Sequence, residues 1–81
     1  MFYYVYLVKS IKYPEKVYVG YTTNLKQRLE THNSGGSIHI ADFRPWELVV
    51  FFGFKNKLKA TAFEKYLKSG SGRAFAAKRF W

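Results

Sequence analysis

The residues whose types and spacing could do chemistry are an arginine, a histidine, a glutamate and two tyrosines. In "KVYVGYTTNLKQRLETHN", residues 16–33, a strand-like run passes straight into a helical one. On a helix, Leu25, Arg28, Leu29 and His32 fall at i, i+3, i+4 and i+7, the spacing of an apolar stripe about 100° wide. Two of those four positions are polar, although Lys26, Glu30, Thr31 and Asn33 already supply a solvated face. Arg28 and His32 stand four residues apart and so point to the same place. A lone arginine there is usually a side chain that snorkels at the edge of the core. A lone histidine at a helix end usually bonds a last-turn carbonyl. The two together on one inward-tilted stripe point to the wall of a site.

A second helical run, "KNKLKATAFEKYLKS", repeats the anomaly with the opposite charge. Ala60, Phe63 and Leu67 make its apolar stripe and Glu64 sits at the edge, the only carboxylate between residue 48 and the end of the chain. A carboxylate beside apolar side chains needs a partner, because burying a lone charge is costly. Lys68, one turn on, is the ordinary partner, in a surface pair worth ~0.3–0.5 kcal/mol. The functional partner is one divalent cation: Mg²⁺ (or Mn²⁺) suits a single carboxylate, since magnesium keeps several waters and binds through one or two carboxylates plus substrate phosphate. Tyr6 and Tyr18 lie on strand faces that could look toward Arg28 and Glu64. With seven tyrosines in the chain, sheet packing is the ordinary role of any one of them. Gly20, two residues after Tyr18 on the same face, has no side chain to obstruct an approaching phosphate backbone.

These side chains must be held by a small body. A chain of 81 residues buries only about 60–65% of the surface that its unfolded form exposes, so each inward position counts. There is no cysteine, which excludes a disulfide framework and a thiolate metal site. Fourteen Lys and Arg against five Asp and Glu give a formal charge of +9, spread along the chain. Such a field draws polyanions, although charge alone fits a ribosome-associated protein or a soluble basic surface equally well. "MFYYVYLV" is too short for a signal peptide or a membrane span, and the expectation is a cytoplasmic protein with no membrane partner. Oligomeric state is left open.

Residues 2–9 and 16–22, rich in aromatic and β-branched residues, are expected to form a hairpin around "SIKYPE". Tyr4, Tyr6 and Val8 then share one face of the first strand, as Tyr18 and Gly20 do on the second. "TTNLKQRLETHN" follows as a helix with Asn24 as N-cap and Gln27 three residues on, ended by "NSGG". Residues 37–45, carrying His39 and Arg44, form a connection of a length that is often functional. Residues 46–54 make the third strand and 55–69 the second helix, with Asn56 as its cap. "GSG" at 70–72 is expected to break that helix before a short basic one over 73–81. The expectation is a single α+β domain over residues 1–81, with a small three-stranded, mainly antiparallel sheet flanked by helices in the order β-β-α-β-α-α.

In that order the residues resemble the GIY-YIG nuclease family. The first half-motif stands here as "YVY", with Tyr4 and Val5 in place of glycine and isoleucine and Tyr6 as the matching tyrosine; the second stands as "YVG", Tyr18-Val19-Gly20. "YTTNLKQRLETHN" resembles small stand-alone members related to the nuclease domain of the excision-repair incision subunit, and "RPWELVVF" and "KATAFEKYLKSGSGR" extend the likeness over nearly the whole chain. The resemblance implies a metal-dependent endonuclease acting on DNA, with branched, nicked or single-stranded structures as candidate substrates. It implies one divalent ion on Glu64, charge stabilisation by Arg28, and a tyrosine, Tyr6 or Tyr18, as general base on water. His32 assists in some members, which tilts the choice toward Tyr6. A free tyrosine has a pKa near 10, so nearby cations must favour its ionised form. Gly20, Lys26, His39, Arg44 and Arg73 are the candidate substrate contacts. The chain departs from the family in two places. Tyr21 and Thr22 stand where some members have a lysine, and Ala76 stands where some have an asparagine. The competing readings are a non-catalytic nucleic-acid-binding domain that stacks bases on aromatics, and an inactive family member. An RRM is disfavoured, because its order is βαββαβ and its aromatic motif is absent.

Overall fold

The computed structural model describes residues 1–36 and 38–81, with 38–40 as backbone only. Its strands are β1 (Tyr3–Ser10), β2 (Val17–Thr22) and β3 (Trp46–Phe54), and its helices are α1 (Leu25–Ser34), α2 (Lys57–Lys68) and α3 (Gly70–Arg79). A 3₁₀ segment, Ile38–Phe43, occupies the connection before β3. β1 is the central strand, antiparallel to both neighbours in the order β2-β1-β3. No helix among the described residues is long and apolar enough to cross a membrane.

Both faces of β1 are covered, which is why Val5, Tyr6, Leu7 and Val8 are all fully buried. On one face Val5 and Leu7 pack with Ala60, Leu67 and Ala76 of α2 and α3, ringed by Val19, Phe52, Phe63 and Phe80. On the other, Tyr6 and Val8 pack with Trp46, Leu25, Leu29 and Phe43, beneath α1 and the 3₁₀ segment. The period-2 alternation of the strands sorts the side chains between these two layers.

α1 starts where the sequence reading placed its cap, with the Asn24 side chain accepting from the Gln27 amide at 3.1 Å. Gly35 ends it in the left-handed region at φ 85°. Its far end is pinned to β3 by Asn33, assigned to the solvated face on helical spacing. The Asn33 side chain accepts from Trp46 N at 2.6 Å and donates to Trp46 O at 3.2 Å, acting as an extra strand residue at the start of β3. Buried Ser10 bonds the Phe43 carbonyl and accepts from Tyr13 N, so the β1–β2 turn is tied to the 3₁₀ segment.

The expected break at "GSG" is corrected. All three residues belong to α3, and the chain turns instead at Ser69, which ends α2 and caps α3 by accepting from Gly72 N at 3.2 Å. Gly72 is in this helix because of close approach: a Cβ there would overlap the Tyr66 carbonyl. The glycine therefore seats α3 against α2 rather than interrupting a helix.

Candidate active site

β1 and β2 set two tyrosines on one face, and α1 lowers a histidine between them. Tyr6 and Tyr18 have ring centroids 6.4 Å apart, and His32 lies 5.6 Å from the first and 5.5 Å from the second. The Tyr6 hydroxyl and His32 Nε2 share a hydrogen bond of 2.7 Å, both residues being buried. His32 Nδ1 is buried with no hydrogen-bond partner among the described residues. Burial is the main cause that holds the imidazole below its usual pKa, and the Arg28 guanidinium adds to the effect. Burial, then the neighbouring Tyr18 hydroxyl, push the Tyr6 phenol up to about 12, against an opposing pull from Arg28.

Arg28 is thus close enough to act on both groups, but it does not line the core. The stripe predicted from spacing is corrected at this position: Leu25 and Leu29 are half-buried, His32 is buried and Arg28 is exposed. Arg28 lies at the flank of α1, in a polar groove shared with Thr22, Asn24, Gln27 and Thr31. A guanidinium there keeps its hydration and remains available to an incoming anion.

Gly20 is also corrected. It is buried and pairs directly with Tyr6 across the strands. A Cβ at Gly20 would overlap the Tyr6 hydroxyl and ring. The missing side chain makes room for the phenol, not for a phosphate backbone.

Glu64 approaches from α2, on the opposite layer. Its Oε2 lies 3.1 Å from Lys68 Nζ, with 24% of the carboxylate side chain exposed. The same ammonium sits 5.5 Å from the Tyr18 ring centroid, so Lys68 bridges Glu64 to Tyr18 at the open edge of β2. The Glu64 charge also acts on Tyr6, opposing its ionisation. Tyr6, Tyr18, Arg28, His32 and Glu64 are therefore brought together. Among the remaining candidates, Arg73 lines a groove beside Tyr18. Lys26 is exposed on α1, and the Arg44 guanidinium lies over Gly35 at the opposite end of that helix. His39 falls in the 3₁₀ segment, and its side chain lies outside the described residues. Lys68 was read from the sequence only as a salt-bridge partner; its reach to Tyr18 has no signature in helical spacing.

The buried histidine gives the fold a pH dependence. His32 is held neutral when folded, whereas the unfolded side chain gains a proton near pH 6.5. Its contribution to stability is therefore complete above about pH 6.5 and is lost as pH falls through the depressed folded value. Thermal melts should show Tm falling on acidification from pH 7 to 5, with a shallower fall in His32→Gln. Equal slopes would show that His32 is not the group responsible.

The model of the GIY-YIG catalytic domain matches residues 2–78. The chain belongs to the GIY-YIG catalytic domain family. Among similar proteins is the structure-specific endonuclease subunit SLX1 of Debaryomyces hansenii, 38% identical over 74 residues, which cover 83% of this chain and 21% of that protein. Another is the UPF0213 protein CPE1444 of Clostridium perfringens, 39% identical over 66 residues, covering 80% of this chain and 69% of that one. The solution NMR structure of the UPF0213 protein BH0048 from Bacillus halodurans matches with a TM-score of 0.58 and 28% identity, over 96% of this chain and 84% of that one. The GIY-YIG chain here spans about a fifth to a quarter of the length of the SLX1 proteins that it matches, and most of the length of the two UPF0213 proteins.

Proposed function

We propose that the protein hydrolyses phosphodiester bonds in DNA at the β2 edge, where Tyr18, Arg28 and Glu64 converge, and that it selects substrates by structure. The observation that carries this reading is the convergence itself. An exposed guanidinium and a partly buried carboxylate from two helices both act on Tyr6, and Lys68 stands between that carboxylate and the half-exposed Tyr18 ring, in a protein of charge +9. The names of the structure-specific endonuclease relatives support selection by structure.

The donor set fits one divalent ion. Among the described residues no three His, Cys, Asp or Glu gather into a cage, and Glu64 is a single carboxylate already accepting a cation, Lys68, at 3.1 Å. A surface pair of that kind is weak and gives way readily to a doubly charged ion. Mg²⁺ or Mn²⁺ held by Glu64, with waters and a substrate phosphate completing its shell, would supply Lewis acidity and neutralise the leaving oxygen.

In the reaction a water oxygen forms a bond to phosphorus as the bond to the leaving oxygen breaks. Arg28 meets the charge that grows on the phosphoryl oxygens, and its planar fork matches two of them. Tyr18, as its phenolate, takes the proton of the water and becomes the phenol, while the leaving oxygen takes up a proton from solvent. The presence of His32 had favoured Tyr6 for that step, but Tyr6 has no exposed surface, is bonded to His32 and resists ionisation. Tyr18 is half-exposed, and the Lys68 ammonium stands over the ring on which negative charge would form. Tyr6 and His32 then act from behind, holding the Tyr18 ring by packing.

The test is incubation of the purified chain with end-labelled duplex, flap and single-stranded DNA in Mg²⁺, Mn²⁺ or EDTA, with Tyr18→Phe and Tyr6→Phe alongside. Metal-dependent cleavage, slowed more by Tyr18→Phe, is expected. Binding without cleavage on every substrate and with either metal would make this a nucleic-acid-binding module instead.

A further inference from the structure

A groove runs between the outer edge of β2 and the corner where α2 turns into α3. Its volume is about 510 Å³, inside the range of roughly 300–1,000 Å³ in which small-molecule clefts fall. The floor is apolar, made by buried Leu67 and Ala76, and the half-buried rings of Tyr18 and Trp81 contribute to the walls. Three cations, Lys16, Lys68 and Arg73, line it, against one acid, Glu15. α3 builds the far wall: Gly72 seats the helix on the Tyr66 carbonyl, Trp81 N donates to Ala76 O at 3.1 Å, and Trp81 packs against the cluster that holds Leu67 and Ala76.

We propose that this groove holds one unpaired nucleotide of the nucleic acid strand next to the bond that is cut. The inference rests on the phosphodiesterase reading for what is cut, and on the groove alone for what is bound. An apolar floor with aromatic walls is a poor site for a bare phosphate, and the cations are a poor lining for a hydrocarbon. A nucleotide has both parts, a flat base with a π-face and an anionic phosphate, and single-strand sites combine basic grooves with aromatic rings in this way. A base can lie against Trp81 only if it has left its own stack and partner, since a duplex presents base edges and backbone to a protein surface. The groove is continuous with the active site. Tyr18 belongs to both, and Lys68 Nζ stands 3.1 Å from the Glu64 carboxylate and 5.5 Å from the Tyr18 ring centroid. A strand with its phosphate at Tyr18 thus has its next nucleotide at the groove mouth, where Arg73 can meet the following phosphate. This is the physical basis we assign to structure selection: substrates with an unpaired nucleotide beside the cut fill the groove, and continuous duplex does not.

The experiment is a titration of the protein with oligothymidylate in EDTA, followed by tryptophan fluorescence at several salt concentrations, with a blunt duplex of equal length as comparison. The only tryptophans are Trp46, buried in the core, and Trp81, half-buried in the groove wall. Oligothymidylate should quench the emission, the quench should vanish in Trp81→Phe, and the blunt duplex should not produce it. Arg73→Gln, an exposed substitution that thermal melts should show to be folded, should weaken single-strand binding roughly tenfold. It should also lower the slope of log K against log salt by about 0.7, one phosphate contact's worth for single strands. Quenching that persists in Trp81→Phe, or an affinity and salt slope unchanged in Arg73→Gln, would overturn the proposal. So would equal quenching by polyglutamate, which would make the groove a site for acidic protein. Because EDTA prevents metal-dependent cutting, the titration reads the groove alone. A wild type that never cleaves would sink the nuclease reading and leave this one standing, whereas normal cleavage without the Trp81 quench would sink only this one.

Discussion

Arg28→Ala should slow DNA cleavage by roughly 10²–10³-fold, the usual loss when one preorganised donor to a developing anion is removed. It should do so without lowering Tm. The side chain is exposed at the flank of α1, its removal opens no cavity, and alanine is the better helix former. Arg28→Lys should recover only part of the rate, because an ammonium cannot meet two phosphoryl oxygens with a fixed fork. Single-turnover rates on one labelled substrate, with melts of the same preparations, decide the matter. A rate loss that scales with a loss of Tm would assign Arg28 to the fold instead.

Gly20→Ala should damage both the fold and the reaction although it adds one methyl group. That methyl would occupy the place of the Tyr6 hydroxyl. The phenol has nowhere to go, since Tyr6 is wholly buried and its hydroxyl is bonded to buried His32. Overpacking of this kind costs about 1–3 kcal/mol, and a displaced phenol also leaves His32 Nε2 without its partner. The face that carries Tyr18 shifts with it, and displacements near 1 Å commonly cost about 10²-fold in rate. Adding Tyr6→Phe to Gly20→Ala removes part of the overlap and should return part of the lost Tm. A double variant no more stable than Gly20→Ala would place the strain elsewhere.

Much of the scaffold was legible because local rules and tertiary packing agree. The third strand runs over residues 46–54 as its aromatic and β-branched composition predicts, and Asn24 and Asn56 cap their helices by side-chain bonds to Gln27 N and Lys59 N. The alternation of β1 placed Tyr6 and Val8 opposite Val5 and Leu7, as the two core layers show.

What was misread has a common origin, in positions whose residue type is set by a neighbour distant in sequence. Gly20 is explained by Tyr6 across the strand pair, and Gly72 by the Tyr66 carbonyl of the previous helix. Asn33 is exposed, as its place on the solvated face predicts, and only its bonds to Trp46 wait on β3. Arg28 shows the resolution limit of helical spacing. It lies on the border of a stripe about 100° wide, where a small rotation of the helix separates buried from exposed. Of the chemistry-bearing set, helix and strand periodicity delivered the types and the faces. That Glu64 meets the others through Lys68, around the edge of β2, depends on how α2 packs.

The central claim is that the carboxylate of α2 belongs to the same site as Tyr18 and Arg28. Its most direct measurement is single-turnover cleavage of a labelled flap substrate by wild type and Glu64→Gln, purified side by side and assayed in Mg²⁺ and in Mn²⁺. The account predicts cleavage by wild type and none above background for Glu64→Gln in either metal, with Tm and metal-free DNA binding retained, because the substitution keeps the shape of the side chain and removes only a weak surface pair. Cleavage by Glu64→Gln at the wild-type rate would contradict it.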